Sequence, residues 1–449
     1  MDQKLTTYAT RTVPRYTSYP TAPHFEAATD GATYAEWLGQ LPETTPVSLY
    51  LHVPYCRSIC RYCGCHTKAA VRDDPVVDYA EVLAAEIDLL ARHLKGRRRA
   101  THIHWGGGTP SLLPAESLRL VVQHLNAAFD IGPDAEHAME LDPRTVTEDL
   151  AARLVEAGIN RASLGVQDFT PKVMEAIGRI QPYEVVADAV ARLRAVGIEA
   201  INFDLMYGLP FQTGDDVERT TRKSAELKPS RIAIFGYAHV PWFKVHQRLI
   251  DVSALPGAVE RMEQAERARM ALEELGYVTV GFDHFAHPDD SMAKAVREGT
   301  LKRNFQGYTT DTAPALIGFG ASAIGKLPQG YVQNAPDVGG YKRAVLEGGL
   351  PIARFKTLSD DDRLRADIIE ALMTGFTVDV EEVCGRYGVD PKALDASFDA
   401  LVELVRDGLA TVEGWTVTMK PAGRPFVRIA AAAFDAYLNA EAARHSVAV

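Results

Sequence analysis

The feature that most constrains the fold of this 449-residue chain is a regular alternation of short apolar segments and longer amphipathic segments. The apolar segments are 47–53, 101–105, 137–141, 161–166, 201–207 and 231–237. The helical patterns that separate and follow them are 75–95, 114–129, 147–158, 183–197, 215–227 and 258–276. This alternation predicts right-handed βα units around a parallel sheet, which is either an open doubly wound sheet or a curved partial barrel.

The positions of polar and glycine-rich residues distinguish these two architectures. Such residues follow the carboxyl end of every predicted strand: four cysteines between 56 and 65, the glycine loop 106–110, Glu140, Gln167-Asp168, the segment 207–210 and Ala238-His239. An open sheet concentrates its site at one switch point, whereas the loops of a barrel converge from every strand. We therefore predict an α/β fold with a partial (β/α)6 TIM-like barrel.

Four of the five cysteines lie within ten residues, directly after the first predicted strand. The spacing of Cys56, Cys60 and Cys63 suits three thiolate ligands of a cubane iron–sulfur cluster, whose fourth iron can hold another ligand. Zinc is the alternative, although structural zinc usually takes two separated C-x-x-C pairs and the chain has no second pair. A single glycine separates Cys63 from Cys65, which is cramped for two corners of one cubane. Spacing therefore favours the first three cysteines as ligands without deciding the choice, and the remote Cys384 is expected to be a core residue.

Several other residues at the predicted strand ends are candidates for ligand binding. The loop 106–110 lacks the Lys-Ser/Thr of a P-loop, and beside the cysteines we expect it to hold the methionine end of S-adenosylmethionine. Glu140 would bind a ligand or pair with Arg144. Asp204 lies inside an apolar segment and needs a polar partner if it is buried. For Gln167, ligand binding and satisfaction of backbone groups are about equally favoured.

Composition and charge limit the classes of partner. The formal net charge of −11 argues against a general nucleic-acid surface. No apolar run approaches the ~20 residues that span a bilayer, and residues 1–13 lack the apolar core of a signal peptide. Clustered cysteines without a disulfide pattern fit a reducing compartment. We expect a cytoplasmic protein with neither nucleic acid nor membrane as a partner.

The last third of the chain has a different pattern. Residues 291–355 are rich in glycine and aromatic residues and predict a strand-and-loop extension of the barrel. Helical patterns, a short strand pair around 409–419 and a final helix follow, which suggests a winged-helix-like module with a packing or lid role. The alanine-rich tail 430–443 predicts an amphipathic helix. The predicted domains are an N-terminal arm (1–45), the barrel (46–290), its extension (291–355) and a smaller, mostly helical C-terminal domain (356–449).

The cysteine spacing on the first loop of a partial barrel resembles that of the radical S-adenosylmethionine (SAM) enzymes. Within them, the chain resembles the oxygen-independent coproporphyrinogen III oxidases from residue 14 to the C-terminal module. The matching segments are P-R-Y-T-S-Y-P-T at 14–21, Y-L-H-V-P-Y-C-R-S-I-C-R-Y-C-G-C at 50–65, H-W-G-G-G-T-P at 104–110, E-L-D-P-R at 140–144, G-V-Q-D-F at 165–169, N-F-D-L-M-Y-G-L-P at 202–210, G-Y-A-H-V-P at 236–241, R-N-F-Q-G-Y-T-T at 303–310 and G-A-S-A-I-G at 320–325.

The resemblance implies a 4Fe–4S cluster on Cys56, Cys60 and Cys63, with Cys65 as a non-ligand site residue of the oxidase pattern. It also implies two SAM molecules. The positions that match the SAM site on the cluster are Tyr50, Gly107, Glu140 and Ile324. The positions that match the second SAM site are Tyr62, Gly108, Thr109, Gln167, Arg179, Asp204 and Ala238. Cys65 and Tyr50 are the candidate catalytic residues.

The implied reaction is the oxidative decarboxylation of two propionate side chains of coproporphyrinogen III to vinyl groups, which gives protoporphyrinogen IX. A 5′-deoxyadenosyl radical made from SAM would start each round, and an unidentified low-potential donor would supply electrons to a monomeric enzyme. Candidates for binding the substrate carboxylates are Arg15, Arg57, Arg61, Lys302 and Arg303. The alternative is a related haem chaperone without oxidase activity. Such relatives typically lack the Gly-Cys pair after the third cysteine and the arm motif at 14–21, and this chain has both.

Overall fold

The strands and helices predicted between residues 47 and 276 are present in the computed structural model of the protein, which describes residues 3–438. The strands are β1 (Glu26–Ala27), β2 (Val47–Val53), β3 (Tyr55–Cys56), β4 (Lys68–Ala69), β5 (Arg98–Gly107), β6 (Phe129–Leu141), β7 (Arg161–Gln167), β8 (Ala200–Tyr207), β9 (Arg231–Gly236), β10 (Val278–Val280), β11 (His284–Ala286), β12 (Lys302–Asn304), β13 (Gly307–Thr309), β14 (Ala315–Phe319), β15 (Ile324–Leu327), β16 (Gly330–Asn334), β17 (Ile352–Thr357), β18 (Thr377–Asp379), β19 (Ala410–Glu413) and β20 (Thr416–Met419). The helices are α1 (Gln3–Ala9), α2 (Ala32–Gln40), α3 (Asp74–Ala91), α4 (Ala115–Ala128), α5 (Glu148–Glu156), α6 (Pro171–Ile177), α7 (Tyr183–Ala195), α8 (Gly214–Glu226), α9 (Ala258–Glu274), α10 (Ser291–Glu298), α11 (Val338–Leu346), α12 (Asp360–Gly375), α13 (Val380–Tyr387), α14 (Asp395–Arg406) and α15 (Val427–Ala432).

One sheet of thirteen strands dominates the molecule, in the order β1-β17-β16-β15-β14-β2-β5-β6-β7-β8-β9-β11-β10. Its central run from β14 to β9 is parallel throughout. The order ends at β1 and β10 without closing, so the predicted partial barrel is confirmed. The parallel run has seven strands rather than six, because the fully buried segment Ala315–Phe319 lies beside β2. The sequence pattern placed that segment in the extension.

The parallel strands all end at the same edge of the sheet, which we call the carboxyl edge. Helices α3, α4, α5, α7 and α8 return the chain to the opposite edge, as βα units require. Left-handed glycines follow three of the helices: Gly158, Gly197 and Gly276 have φ values of 81°, 92° and 85°. The large core between sheet and helices includes Leu49, Ile103 and other buried apolar side chains of the strands. The loops at the carboxyl edge are therefore held by a rigid scaffold.

The C-terminal residues form a second core. Helices α12–α14 pack with the small antiparallel sheet β18-β20-β19, in the winged-helix-like arrangement predicted from the sequence. Tyr8, Tyr16 and Tyr19 of the N-terminal arm are buried in this core. Helix α15 ends at Ala432, earlier than the predicted helix 430–443, whose residues from 439 onward lie outside the described part of the chain. The four domain boundaries stay a prediction.

None of the helices within residues 3–438 is both long enough and apolar enough to cross a membrane.

Candidate active site

The cysteine loop (residues 56–65) leaves β2 at the carboxyl edge and folds back on itself. Cys56 belongs to the short parallel pair β3–β4, and the Cys56 carbonyl accepts a hydrogen bond from Ala70 N at 2.8 Å. Cys63 N donates to the Cys60 carbonyl at 3.1 Å, which closes a turn between these two cysteines. All the thiols are free, and Cys60 is buried while Cys65 is exposed. The loop thus presents several reduced thiols at one place.

The surroundings of the first two thiols suit thiolate ligands. Thr67 Oγ1 lies 3.3 Å and Thr109 Oγ1 3.5 Å from Cys56 Sγ, and Arg179 Nη1 donates to Cys60 Sγ at 3.6 Å. Hydrogen bonds to ligating sulfur stabilise its negative charge and tune a cluster. Within residues 3–438, no three His, Cys, Asp or Glu side chains converge as ligands of a single metal ion. In a cubane, each thiolate binds a different iron, so the ligands need not converge.

The pKa values of Cys63 and Cys65 are shifted in opposite directions, although only Gly64 separates the two residues. The Cys65 thiol hydrogen-bonds to the Cys63 sulfur, and this contact lowers the pKa of Cys63 to about 6. The same contact, together with burial by surrounding protein atoms, raises the pKa of Cys65. Cys65 as a residue is exposed. The choice of Cys63 as the third ligand stays a prediction.

A layer of polar side chains lies beneath the glycine loop. Glu140 Oε2 accepts a hydrogen bond from Gly107 N at 3.1 Å, and Glu140 Oε1 lies 3.3 Å from His104 Nε2. The Tyr50 ring stacks on His104 at 6.0 Å, and the Tyr50 hydroxyl lies 3.0 Å from His52 Nδ1. The Glu140 side chain keeps 40% of its accessible surface. A fixed, accessible carboxylate of this kind can bind an ammonium group.

Arg144 does not pair with Glu140, so that alternative is wrong. The Arg144 guanidinium instead binds Asp142 through Nε at 2.9 Å and Nη2 at 2.6 Å. The short spacing of the two residues on one turn favours this local pair over the more distant carboxylate. The Glu140 carboxylate is therefore not paired with Arg144 and remains available to a ligand in the interior of the barrel.

The glycines of the loop are required by protein packing. A Cβ on Gly107 would lie 2.6 Å from the His52 ring, and Gly107 has a φ of 109°. A Cβ on Gly106 would lie 2.8 Å from Glu140 Oε1. The backbone N–H groups of Gly107, Gly108 and Thr109 all donate within the protein, to Glu140, Val53 and Tyr55. These N–H groups are therefore paired within the protein, and the role of the loop in binding the methionine end of SAM stays a prediction.

Asp204 and Gln167 face the same interior from neighbouring strands. Ser163 Oγ donates to Asp204 Oδ2 at 3.1 Å, which is the polar partner expected for a buried acid. Burial, followed by the charge of Glu140, raises the pKa of Asp204 to about 6. Gln167 has a φ of 68°, next to an irregularity in the pairing of β7 with β8. The two carboxylates therefore share one partly accessible space, which a cationic ligand would stabilise.

Arg179 follows helix α6, a short helix that the sequence pattern did not reveal. Its Nη2 donates to the Gly165 carbonyl at 2.8 Å and lies 3.3 Å from Asp142 Oδ1. Together with the bond to Cys60, these contacts join the carboxyl ends of β6 and β7 to the cysteine loop. The side chain is buried.

Ile324, on β15, is half-buried beside the short loop that follows β14. Strand β14 pairs with β2, where Gly318 stands in register with Tyr50. Ile324 therefore lies on the side of the site that carries Tyr50. This neighbourhood is the one expected for the residues of the cluster-proximal ligand.

Residues that the sequence did not reveal hold the cysteine loop from outside. The fully buried Gln247 donates from Nε2 to the carbonyls of Tyr62 at 2.8 Å and Ala238 at 3.2 Å. His246 Nε2 lies 2.7 Å from the Cys63 carbonyl, and Lys244 Nζ donates to the Cys65 carbonyl at 2.8 Å. These side chains belong to the segment after β9. Because they bind backbone carbonyls, no pattern of side chains in the cysteine loop signals them.

Three of the five cations suggested for substrate carboxylates are engaged elsewhere. Arg57 pairs with Asp73. Arg61 donates to the last carbonyls of α6, and Lys302 pairs with Glu370 at 2.9 Å. Arg15 and Arg303 remain close to the carboxyl edge, where Arg303 Nη2 donates to the Arg15 carbonyl at 3.3 Å.

Comparisons with known proteins agree with this geometry. Residues 50–223 match the radical SAM superfamily. The chain is 50% identical over 442 residues to the oxygen-independent coproporphyrinogen III oxidase of Bradyrhizobium diazoefficiens, with 98% of each chain covered. It is 42% identical to the oxidase of the same name from Paracoccus denitrificans, covering 97% of this chain and 96% of the relative.

A solved structure has the same fold over nearly the whole chain. Coproporphyrinogen III oxidase from Escherichia coli, a radical SAM enzyme, superposes with a TM-score of 0.90 and 34% sequence identity. The match covers 94% of this chain and 98% of the Escherichia coli protein. The similarity thus includes the N-terminal arm and the C-terminal region as well as the barrel.

Proposed function

Because the chain belongs to the oxygen-independent coproporphyrinogen III oxidases, a family of radical SAM enzymes, we propose that its cysteine loop holds the 4Fe–4S cluster through Cys56, Cys60 and Cys63. The hydrogen bonds that Thr67, Thr109 and Arg179 direct at two of these sulfurs support the assignment. The spacing of the three cysteines, within the matched residues 50–223, supports the third ligand.

The activity is the oxidative decarboxylation of two propionate side chains of coproporphyrinogen III to vinyl groups. The cluster, when bound and reduced, supplies the electron that cleaves SAM and so starts the removal of hydrogen from the substrate. The residues of the chain bind and orient the reactants and exclude water. The observation that carries this function is the position of the four-cysteine loop above the Tyr50–His104–Glu140 layer, in a chain that matches the oxidases from end to end.

Glu140 is the residue that orients the first SAM. His104 and Gly107 fix its carboxylate while leaving part of it accessible, so it can bind the ammonium group of the methionine end. Tyr50 and Ile324 would flank the same ligand, and the rigid turn at Gly107 sets the distance to the cysteine loop. Tyr50 and Cys65 stay the candidate catalytic residues, since Glu140 interacts electrostatically with both.

A second SAM site would lie towards β7 and β8. Its proposed residues are Tyr62, Gly108, Thr109, Gln167, Arg179, Asp204 and Ala238. The half-buried carboxylate of Asp204, on which the charge of Glu140 acts, supports the binding of a cation there. Equilibrium dialysis of the anaerobically reconstituted enzyme should find two SAM per chain, and about one in Asp204→Asn. A single SAM per wild-type chain would contradict the second site.

The proposal also includes an electron donor and a cellular compartment. A low-potential one-electron donor must reduce the cluster, and a reducing cytoplasm suits five free thiols.

The edge strands β1 and β10 have only two and three residues, which disfavours pairing between copies and supports a monomer. Sedimentation of the holoenzyme at several concentrations measures this directly, and a mass near 49.1 kDa at all of them is expected.

An anaerobic product assay tests the function. The reconstituted protein is incubated with coproporphyrinogen III, SAM and a reductant, and the porphyrins are separated by chromatography after oxidation. We expect the mono- and divinyl products. Stoichiometric uptake of haem without any vinyl product would indicate a carrier and contradict the oxidase.

A further inference from the structure

Four arginines from distant parts of the chain meet at the carboxyl edge, on the side of β8 and β9. Arg15 belongs to the N-terminal arm and Arg261 to α9, while Arg303 lies on β12 and Arg428 on α15. None of the four is among the residues proposed for the cluster or for SAM. The proposed function, on which this inference rests, supplies a substrate with four carboxylates.

Aromatic rings and backbone carbonyls hold these guanidinium groups in place. Arg303 lies over the Tyr308 ring at 4.5 Å and over the Phe282 ring at 5.3 Å, and Arg428 lies over Phe282 at 5.8 Å. These stacked positions fix the planes of two guanidiniums next to each other.

The other two guanidiniums bind the chain at the ends of β8 and β9. Arg261 lies over the Tyr207 ring at 5.5 Å and donates to the Tyr237 carbonyl at 2.9 Å. Arg15 Nη2 lies 3.5 Å from the Gly236 carbonyl. All four cations are thus attached to the same edge that carries the predicted site.

The charges of the group act on one another. Burial, together with the neighbouring charges of Arg15 and Arg303, lowers the pKa of Arg428 to about 10. Asp283 is the carboxylate that the described residues place within reach of Arg15, Arg303 and Arg428. Asp283 also binds His284 Nδ1 at 2.6 Å, so it is shared. A convergence of like charges in a chain of net charge −11 favours an anionic ligand.

Arg303 has hydrogen-bonding capacity left for such a ligand. Its Nε and Nη1 atoms are buried and have no hydrogen-bond partner within residues 3–438. A buried N–H without a partner is costly, and a carboxylate oxygen could accept a hydrogen bond from either atom. Arg303 therefore has two donors that an anionic ligand could use.

The four arginines adjoin the acidic residues of the predicted reaction site. His284 Nδ1 lies 2.6 Å from Asp283 Oδ1, and the same histidine interacts electrostatically with Asp204. Asp204 in turn interacts with Glu140. An anion at the arginines would therefore lie next to this interior.

We propose that Arg15, Arg261, Arg303 and Arg428 form the site that binds the propionate carboxylates of the tetrapyrrole substrate. Arginine is suited to this role because its planar fork matches a carboxylate. The site joins the arm, the barrel, its extension and the C-terminal domain, so a bound substrate would connect all four. Arg57, Arg61 and Lys302 are not part of it, since each is engaged elsewhere.

Binding of coproporphyrin III, the stable oxidised form of the substrate, tests the site without turnover. The reconstituted enzyme is titrated while the porphyrin fluorescence is followed. Arg303→Gln should weaken binding about 10- to 100-fold, as expected for a lost charged hydrogen-bonded pair. The matched control is Lys302→Gln, a neighbour on β12 whose cation pairs with Glu370, and it should bind within about twofold of the wild type. The tetramethyl ester of the porphyrin should show no dependence on Arg303.

The outcomes separate this site from the proposed function. If the wild type forms vinyl products while Arg303→Gln binds coproporphyrin III as tightly as the wild type, the arginine site is wrong and the oxidase stands. If carboxylate-dependent binding is lost in Arg303→Gln but the wild type forms no vinyl product, the site stands and the oxidase is wrong. Arg15→Gln, with an exposed side chain, gives a second variant should Arg303→Gln fail to fold, and a wild-type affinity in that protein would overturn the site.

Discussion

The functional groups on one side of the carboxyl edge are close in sequence, whereas those on the other side come from distant parts of the chain. On the cysteine side, the metal ligands, Gly107 and Glu140 all come from one stretch between β2 and the end of β6. On the arginine side, Arg15 and Arg428 come from opposite ends of the described chain and meet through tertiary packing. The cysteine side is built from consecutive βα units, whereas the arginine side exists only when the arm and the C-terminal domain are docked.

This difference assigns separate tasks to the two sides. Short local spacing gives the cysteine side a rigid geometry, which a cluster and its cofactor require. The arginine side gathers charge from several elements, which suits a large substrate with carboxylates far apart. Variants on the two sides should therefore affect different ligands.

The largest expected effect is the loss of the metal centre. Cys63→Ser should lose iron and all turnover, because a serine hydroxyl is a poor ligand for iron in a cluster. Cys65→Ser should keep its iron and lose turnover. Iron and sulfide analysis after anaerobic reconstitution measures both, and equal loss of iron in the two variants would make Cys65 a ligand.

The next effect concerns SAM on the cysteine side. Glu140→Gln removes the charge that faces the ammonium group, so we expect SAM affinity to fall about 10- to 100-fold, or by about 2 kcal/mol. Coproporphyrin III binding should be unchanged. Glu116→Gln, on the exposed surface of α4, is the control. Unchanged SAM binding in Glu140→Gln would place the ammonium group elsewhere.

The pH dependence of stability tests the packing of helix α3, which follows the cysteine loop. Glu86 of α3 is buried and accepts hydrogen bonds from Gly320 N, Asn334 Nδ2 and the Tyr341 hydroxyl. Burial raises the pKa of Glu86 from 4.5 to about 7. The folded state therefore binds the proton more tightly than the unfolded state, and this group's contribution to the free energy of unfolding falls as the pH rises from about 4.5 to 7.

The change attributable to Glu86 between pH 5 and 7 is about 2 kcal/mol. Denaturant unfolding of the wild type and Glu86→Gln at several pH values measures it. The difference in stability between the two proteins should shift in favour of the glutamine as the pH rises. A difference that is constant across this range would show that Glu86 has an ordinary pKa.

The smallest effect concerns the outer support of the cysteine loop. Gln247→Ala leaves the Tyr62 and Ala238 carbonyls without their donor, which should cost about 1 kcal/mol of stability and speed the loss of iron to a chelator. Gln40→Ala, at an exposed helix end, is the control. Iron release at the wild-type rate would mean that Gln247 does not support the loop.

The same comparison explains which features could be predicted from the sequence. The cysteine loop, the six strands and Glu140 follow from local spacing and hydrophobic period, which the fold preserves. Gln247 and His52 act on backbone groups or on neighbours distant in sequence, so no local pattern reveals them. The short helix α6 and the seventh parallel strand β14 were missed because short apolar segments fit several structures. The arginine site required the tertiary structure, since its members share no motif.

Anaerobic steady-state kinetics of Arg303→Gln beside Glu140→Gln tests the division between the two sides most directly. We expect Arg303→Gln to raise KM for coproporphyrinogen III about tenfold or more and to leave KM for SAM within about twofold of the wild type. Glu140→Gln should show the reverse. Equal increases of both KM values in both variants would contradict separate sites for the cofactor and for the substrate carboxylates.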